Sequence, residues 1–160
     1  MREQREGLML RWILIAIMLW SIPAHADWQY TRWGMTANQV VEASKGRALE
    51  IPSDRQRYRG GVTLLESSYS ASGIDFRTIF TFDNSQKLHS IILEPKSFND
   101  CGKIQTLVLS NYGPAIHQDR SGSMMHYQWV DREKSNFIRF SWDDRISICV
   151  FSYERLGSGL

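Results

Sequence analysis

The chain has 160 residues, 42% of them hydrophobic, with 19 Lys or Arg against 17 Asp or Glu and a formal net charge of +2. That length suits one domain able to bury a core of its own. The near-balanced, interspersed charge argues against nucleic acid as a partner, because nucleic-acid binding usually needs a basic face.

In chain order, residues 1–26 read as an export signal that is cleaved. Arg2, Arg5 and Arg11 form a positive start, diluted by Glu3 and Glu6, and the apolar run Trp12–Ile22 follows. Ala24-His25-Ala26 is the small-x-small pattern that a signal peptidase cuts after. The apolar run falls short of the roughly 20 residues that cross a bilayer, so no stable membrane span is expected after cleavage. No cysteine for lipid attachment stands near the cut, and Arg2 and Arg5 are not adjacent as a twin-arginine signal requires. The expectation is a periplasmic or secreted protein whose single domain runs over 27–160.

A short helix is expected from Thr36 to about residue 47. Thr36 followed by Gln39 is a capping box, and Met35 with Val40 forms a hydrophobic staple. Ala37, Val40, Val41, Ser44 and Ala48 recur at helical spacing, and Gly46 is a stop. The connector Ile51–Gly61 is polar, with a proline and a double glycine. Three strands should follow: Val62–Tyr69, Ile74–Phe82 and Lys87–Leu93. The second alternates Ile74, Phe76, Phe80 and Phe82 against Asp75, Arg77 and Thr81. Asp83-Asn84-Ser85-Gln86 is the turn into the third.

The cycle then repeats. Asn99 or Asp100 caps a helix whose face carries Cys101, Ile104, Leu107, Val108 and Tyr112, and Gly113-Pro114 ends it. The stretch HQDRSGS reads as a polar loop. Met125, Tyr127 and Trp129 alternate next, then Ile138, Phe140 and Trp142. Asp143-Asp144 turns the chain, and Ile146–Tyr153 returns. Phe80-Thr81-Phe82-Asp83-Asn84 lines up with Phe140-Ser141-Trp142-Asp143-Asp144, so pseudo-repeats over about 33–95 and 97–154 are expected. The expected fold is α+β and two-layered. Tandem helix-plus-three-strand meander units would form a largely antiparallel six-stranded sheet with helices packed on one face.

Cys101 and Cys149 are the two cysteines. In an oxidising compartment an even count most simply means one disulfide. The competing reading is a nucleophilic Cys101 with a histidine base, but SFNDCGK supplies no adjacent histidine. A bridge forms readily if Cys149, Phe151 and Tyr153 face the helices. This is the preferred arrangement, with Ile146, Ile148 and Val150 on a second apolar surface. If those three face the helices instead, the bridge needs an edge or bulge.

Gly34-Met35-Thr36 with Gln39-Val40, and Phe80-Thr81-Phe82-Asp83-Asn84 with Leu88, resemble the motifs of the small outer-membrane-assembly lipoprotein (SmpA/OmlA) family. Tyr112-Gly113-Pro114 looks like that family's helix-ending Leu-Gly-x-Pro. Two such units in tandem are similar to the β-lactamase inhibitory proteins. The chain lacks the lipid-attachment cysteine, shows one helix per unit where the family has two, and has no Gly-Met-Thr in its second half. The resemblance implies a fold and a style of function, the binding of proteins in the cell envelope. It transfers no contact residue.

No catalytic constellation stands out. Ser121-Gly122-Ser123 is a flexible turn without a G-x-S-x-G elbow. Asp143-Asp144 are adjacent in a turn, where aspartate is favoured by geometry alone. His117, Asp119 and His126 offer metal-ligating groups, but at none of the usual tight spacings. No metal or other cofactor is expected. The aromatic residues are the remaining candidates: Tyr127, Trp129, Trp142 and Tyr153 would line an open sheet face, with Arg132 and Arg139 at its rim. The expected function is a non-enzymatic module that binds an envelope protein, of the assembly or enzyme-inhibitor type. The alternatives are a small-molecule or lipid binder with an aromatic pocket, and, further behind, a Cys- or His-dependent hydrolase.

Overall fold

Where apolar and polar side chains alternate along this chain, the backbone is extended and paired, and the result is a protein dominated by one sheet. A computed structural model describes residues 28–56 and 61–157. The expected signal segment 1–26 lies outside them. The chain enters through helix α1 (Ala37–Ala43), a two-residue strand β1 (Leu49–Glu50) and a 3-10 turn (Ser53–Arg55). Strands β2 (Val62–Ala71), β3 (Ile74–Phe82) and β4 (Leu88–Pro95) follow. A second 3-10 turn (Phe98–Asp100) leads into helix α2 (Cys101–Tyr112). Strands β5 (His117–Ser121), β6 (Met124–Asp131), β7 (Asn136–Asp143) and β8 (Ile148–Arg155) complete the fold.

All eight strands form a single sheet in the order β1-β2-β3-β4-β8-β7-β6-β5. Every named pair is antiparallel. After β4 the chain passes through α2 to the far edge. It then walks back strand by strand until β8 lies against β4, with Ile91 opposite Tyr153 and Leu93 opposite Phe151.

This corrects the two-layer α+β expectation of tandem helix-plus-three-strand units with helices packed on one face. The sheet has eight strands rather than six, and the helices are segments of 7 and 12 residues attached to it. Two causes are physical. The residues HQDRS form β5 although all five side chains are exposed, so no apolar alternation marks them as a strand. The two halves also do not stand as separate units, because the β4–β8 ladder makes them one sheet with one core.

Individual elements follow their local chemistry. Thr36 accepts from the Gln39 backbone N–H at 3.4 Å, and the Gln39 side-chain oxygen accepts from the Thr36 N–H at 2.9 Å, so the capping box forms. Only Val40 of α1 is buried, and the helix stops at Ala43, earlier than its small-residue stripe implied. In α2 the buried residues are Cys101, Ile104 and Val108, joined by partly buried Leu107 and Tyr112. Gly113 at φ 72° ends it. Asp83 and Asp143 close equivalent turns after β3 and β7. The Asp83 carboxylate accepts from the N–H groups of Ser85 and Lys87, and that of Asp143 accepts from Arg145.

Cys101 and Cys149 are bonded, with Cα atoms 5.9 Å apart. Cys149, Phe151 and Tyr153 occupy the core side of β8, as the preferred arrangement required. The second apolar surface does not form among the described residues: Ile146 and Ile148 are exposed and Val150 is half-buried. The face of the sheet opposite the core is mainly polar, although Ile79 is buried on it opposite Ile92. On it Arg77 bridges Glu66 at 2.7 Å and Glu94 at 3.3 Å across β2, β3 and β4.

Candidate functional site

Alternation along β6 and β7 sends Tyr127 and Trp129 to the same side as their cross-strand partners Phe140 and Ile138. That side is the core. Tyr127 is 8% exposed and Trp129 3%, with their rings stacked at 6.1 Å. Their polar ends tie α2 down. The Trp129 indole N–H donates to the Gly113 carbonyl at 3.0 Å, and the Gln105 amide donates to the Tyr127 hydroxyl at 2.9 Å. Tyr153 meets Tyr112 at 3.1 Å between hydroxyls. Burial, reinforced by Tyr112, pushes the Tyr153 pKa far above the ordinary phenol value. Trp142 shares this face and packs against the core, with its indole N–H buried and unpaired among the described residues.

The four aromatics are therefore core side chains, three of them anchored by hydrogen bonds, and do not make an open patch. Arg139 points to the other face, where it lies over the Phe137 ring at 5.0 Å and pairs with Glu154 at 3.5 Å. Arg132 is exposed in the β6–β7 turn. Of the six residues expected to bind together, only Trp129 and Arg132 line an open surface in common.

That surface is an open cleft of about 560 Å³ between the end of α2 and the β6–β7 hairpin. Tyr112, Pro114, Ile116 and Val130 supply apolar wall, while Asp131, Arg132, Glu133 and Lys134 supply a charged lip of both signs. The Gly113 turn folds Pro114 and Ile116 back toward β6, where the Ile116 N–H bonds the Gln128 carbonyl at 2.9 Å. Ile116 is left 66% exposed. Sequence reading passed over it, although an isoleucine between Gly-Pro and a charged run was a visible signal.

His117 and His126 sit on the polar face. Asp119 of β5 stands opposite His126 of β6, which stands opposite Ser141 of β7. His126 Nδ1 and Ser141 Oγ are 2.9 Å apart. The Asp119 carboxylate lies 3.6 Å from His117 Nε2. A carboxylate, an imidazole and a hydroxyl thus stand in one row, but the described contacts join only the last two. Among the described residues no three His, Cys, Asp or Glu side chains are placed to hold a metal ion.

No family model matches the chain, and no curated protein matches it. Among solved structures it is similar to the crystal structure of a DUF4309 family protein (YjgB) from Bacillus subtilis subsp. subtilis str. 168. The likeness has a TM-score of 0.51 at 10% identity and covers 79% of this chain and 82% of that one. At such identity it concerns the fold alone.

Proposed function

We propose that the chain is an exported, periplasmic or secreted, non-enzymatic module that binds a protein of the cell envelope through the cleft between α2 and the β6–β7 hairpin. The observation that carries this is the cleft itself, open to solvent and mixed in its lining, with Tyr112, Pro114, Ile116 and Val130 beside Arg132 and three other charged side chains. Protein-binding surfaces combine apolar contact with polar, solvent-accessible groups at the rim. The buried disulfide supports the compartment, since such bonds persist where the surroundings are oxidising. Among the described residues no helix is long and apolar enough to cross a membrane.

A photo-crosslinking side chain placed at Val130 tests the reading against the same group at Ser68 on the polar face. With envelope extract, the Val130 probe should capture one protein reproducibly, and Arg132→Glu should abolish capture. Equal labelling from both positions, or none, overturns the proposal. A cleft of this volume is also of small-molecule size. A ligand co-purifying with the protein, seen by native mass spectrometry and lost in Val130→Asp, would favour the small-molecule or lipid reading instead.

A further inference from the structure

The two edges of the sheet differ. At one end β1 is two residues long, too short to template another strand. At the other, β5 offers five residues whose outer edge faces no described strand, with every side chain exposed. Backbone pairing continues one residue further, through the Ile116 N–H. Ile116 itself is among the most exposed large apolar side chains of the described protein.

Charges on an edge strand normally prevent pairing, so the decisive point is what each register would bring together. When two copies of His117-Gln118-Asp119-Arg120-Ser121 pair antiparallel about a two-fold axis normal to the sheet, opposite residues must share a face. Three registers then overlap by at least three residues. Centring on Asp119 sets carboxylate on carboxylate, and centring on Arg120 sets guanidinium on guanidinium, both unfavourable directly across a ladder. Centring on Gln118 sets two neutral amides on the axis and places His117 opposite the partner's Asp119, twice by symmetry. These two side chains already approach each other within one copy, at 3.6 Å. The same register places Ile116 opposite the partner's Arg120, whose aliphatic stem can cover it.

We propose that the β5 edge is a self-pairing surface. Two copies would join through β5 about a two-fold axis at Gln118, making one continuous sheet held by backbone hydrogen bonds, reciprocal His117–Asp119 contacts and a covered Ile116. Such an isologous contact closes on itself and gives a dimer rather than a fibre. The pairing shares Ile116 with the neighbouring cleft but does not rest on what the cleft binds.

Sedimentation equilibrium of the purified protein should show a monomer–dimer equilibrium. His117→Asp puts like charges opposite each other and should weaken dimerisation by about tenfold or more. Adding Asp119→His to that variant exchanges the two side chains and should bring the dimer back to within about threefold of wild type. Recovery by the second substitution separates pairing from any general damage done by the first. Gln118→Cys should form a covalent dimer on mild oxidation, since facing Cα atoms in such a ladder lie about 4.5–5.5 Å apart. Ser121→Cys should not, because that register holds the two sulfurs about 20 Å apart. A wild type that stays monomeric at about 100 µM, well above the dissociation constants of ordinary specific dimers, overturns the proposal. So does equal crosslinking from positions 118 and 121, or a side-chain exchange that restores nothing. A monomer whose β5 edge crosslinks to a different protein would overturn it as well.

Discussion

The indole N–H of Trp33 donates to the side-chain oxygen of Asn136 at 3.0 Å, joining residues 103 positions apart. Asn136 opens β7 and is 1% exposed. Next to Trp33, the Gly34 N–H bonds the Leu88 carbonyl and the Leu88 N–H bonds the Met35 carbonyl. The segment before α1 is thereby fastened to β4 in one half of the sheet and to β7 in the other. Trp33→Phe keeps an aromatic ring but removes the donor, and should cost about 1–2 kcal/mol, the range for a buried hydrogen bond losing one partner. Urea unfolding should show a lower midpoint with an unchanged slope. An unchanged midpoint would mean the contact is not formed in solution.

The disulfide closes a sequence separation of 48 residues and pins the first turn of α2 to β8. Replacing both cysteines with alanine should lower stability by about 3–4 kcal/mol on the chain-entropy account. Past the bridge, α2 keeps Ile104 and Val108 in the core and the Gln105–Tyr127 bond. Hydrogen exchange should therefore rise most at the start of α2 and less at its end. Uniform acceleration along the helix would show that the bridge, not the packing, holds the whole of α2.

Asp143 links two turns at one end of the sheet. It accepts from the Ser123 hydroxyl after β5 and from the Arg145 N–H at the start of the next turn. The Ser123 hydrogen bond, helped by backbone N–H groups and the Arg145 charge, holds its pKa below the usual value of 3.8. A carboxyl whose folded pKa is depressed contributes stability above its unfolded pKa and loses it as pH falls through the folded one. The stability gap between wild type and Asp143→Asn should accordingly be flat from neutral pH down to about 5 and narrow below about 4. Unfolding midpoints measured in acetate and formate buffers give the comparison. A gap that widens on acidification contradicts the assigned shift.

How much of this could be read in advance depended on whether the cause was local. The start of α1 was legible because Thr36 and Gln39 complete their box within one turn. Strand Ile74–Phe82 was legible to the residue because Ile74, Phe76, Phe80 and Phe82 share the core face while Asp75 and Arg77 mark the other. The inward side of β8 was only a preference, drawn from which face lets Cys149 reach Cys101, and the formed bridge decides it. Strand β5 was not legible, since a strand exposed on both sides is under no pressure to alternate. The aromatic residues show the other limit. Tyr127, Trp129, Trp142 and Tyr153 alternate plainly, but alternation separates two faces without saying which one α2 will cover. The bond from Trp33 to Asn136 had no signal at all, because nothing in either neighbourhood specifies a partner 103 residues away.

Gly61 shows a constraint of close approach rather than of backbone dihedral. A Cβ built there would stand 2.6 Å from the Phe82 carbonyl oxygen and 3.0 Å from a Thr81 methyl, and would overlap the His89 ring. Phe82 pairs with Leu88 beside the register shift between β3 and β4, so the carbonyl belongs to a ladder that cannot easily retreat. The Phe82 ring is itself fully buried, which fixes the strand from the opposite face. Relief must then come from moving the entry to β2, where Val62 pairs with Phe82. Gly61→Ala should cost about 1–3 kcal/mol, as overpacking does. Gly157→Ala, with open space around its Cβ, reports the separate effect of a positive φ. If the two substitutions lower the melting temperature equally, the close approach at Gly61 is not what selects glycine there. A larger loss at Gly61, reduced by His89→Ala, would place the conflict at the imidazole as well as the strand.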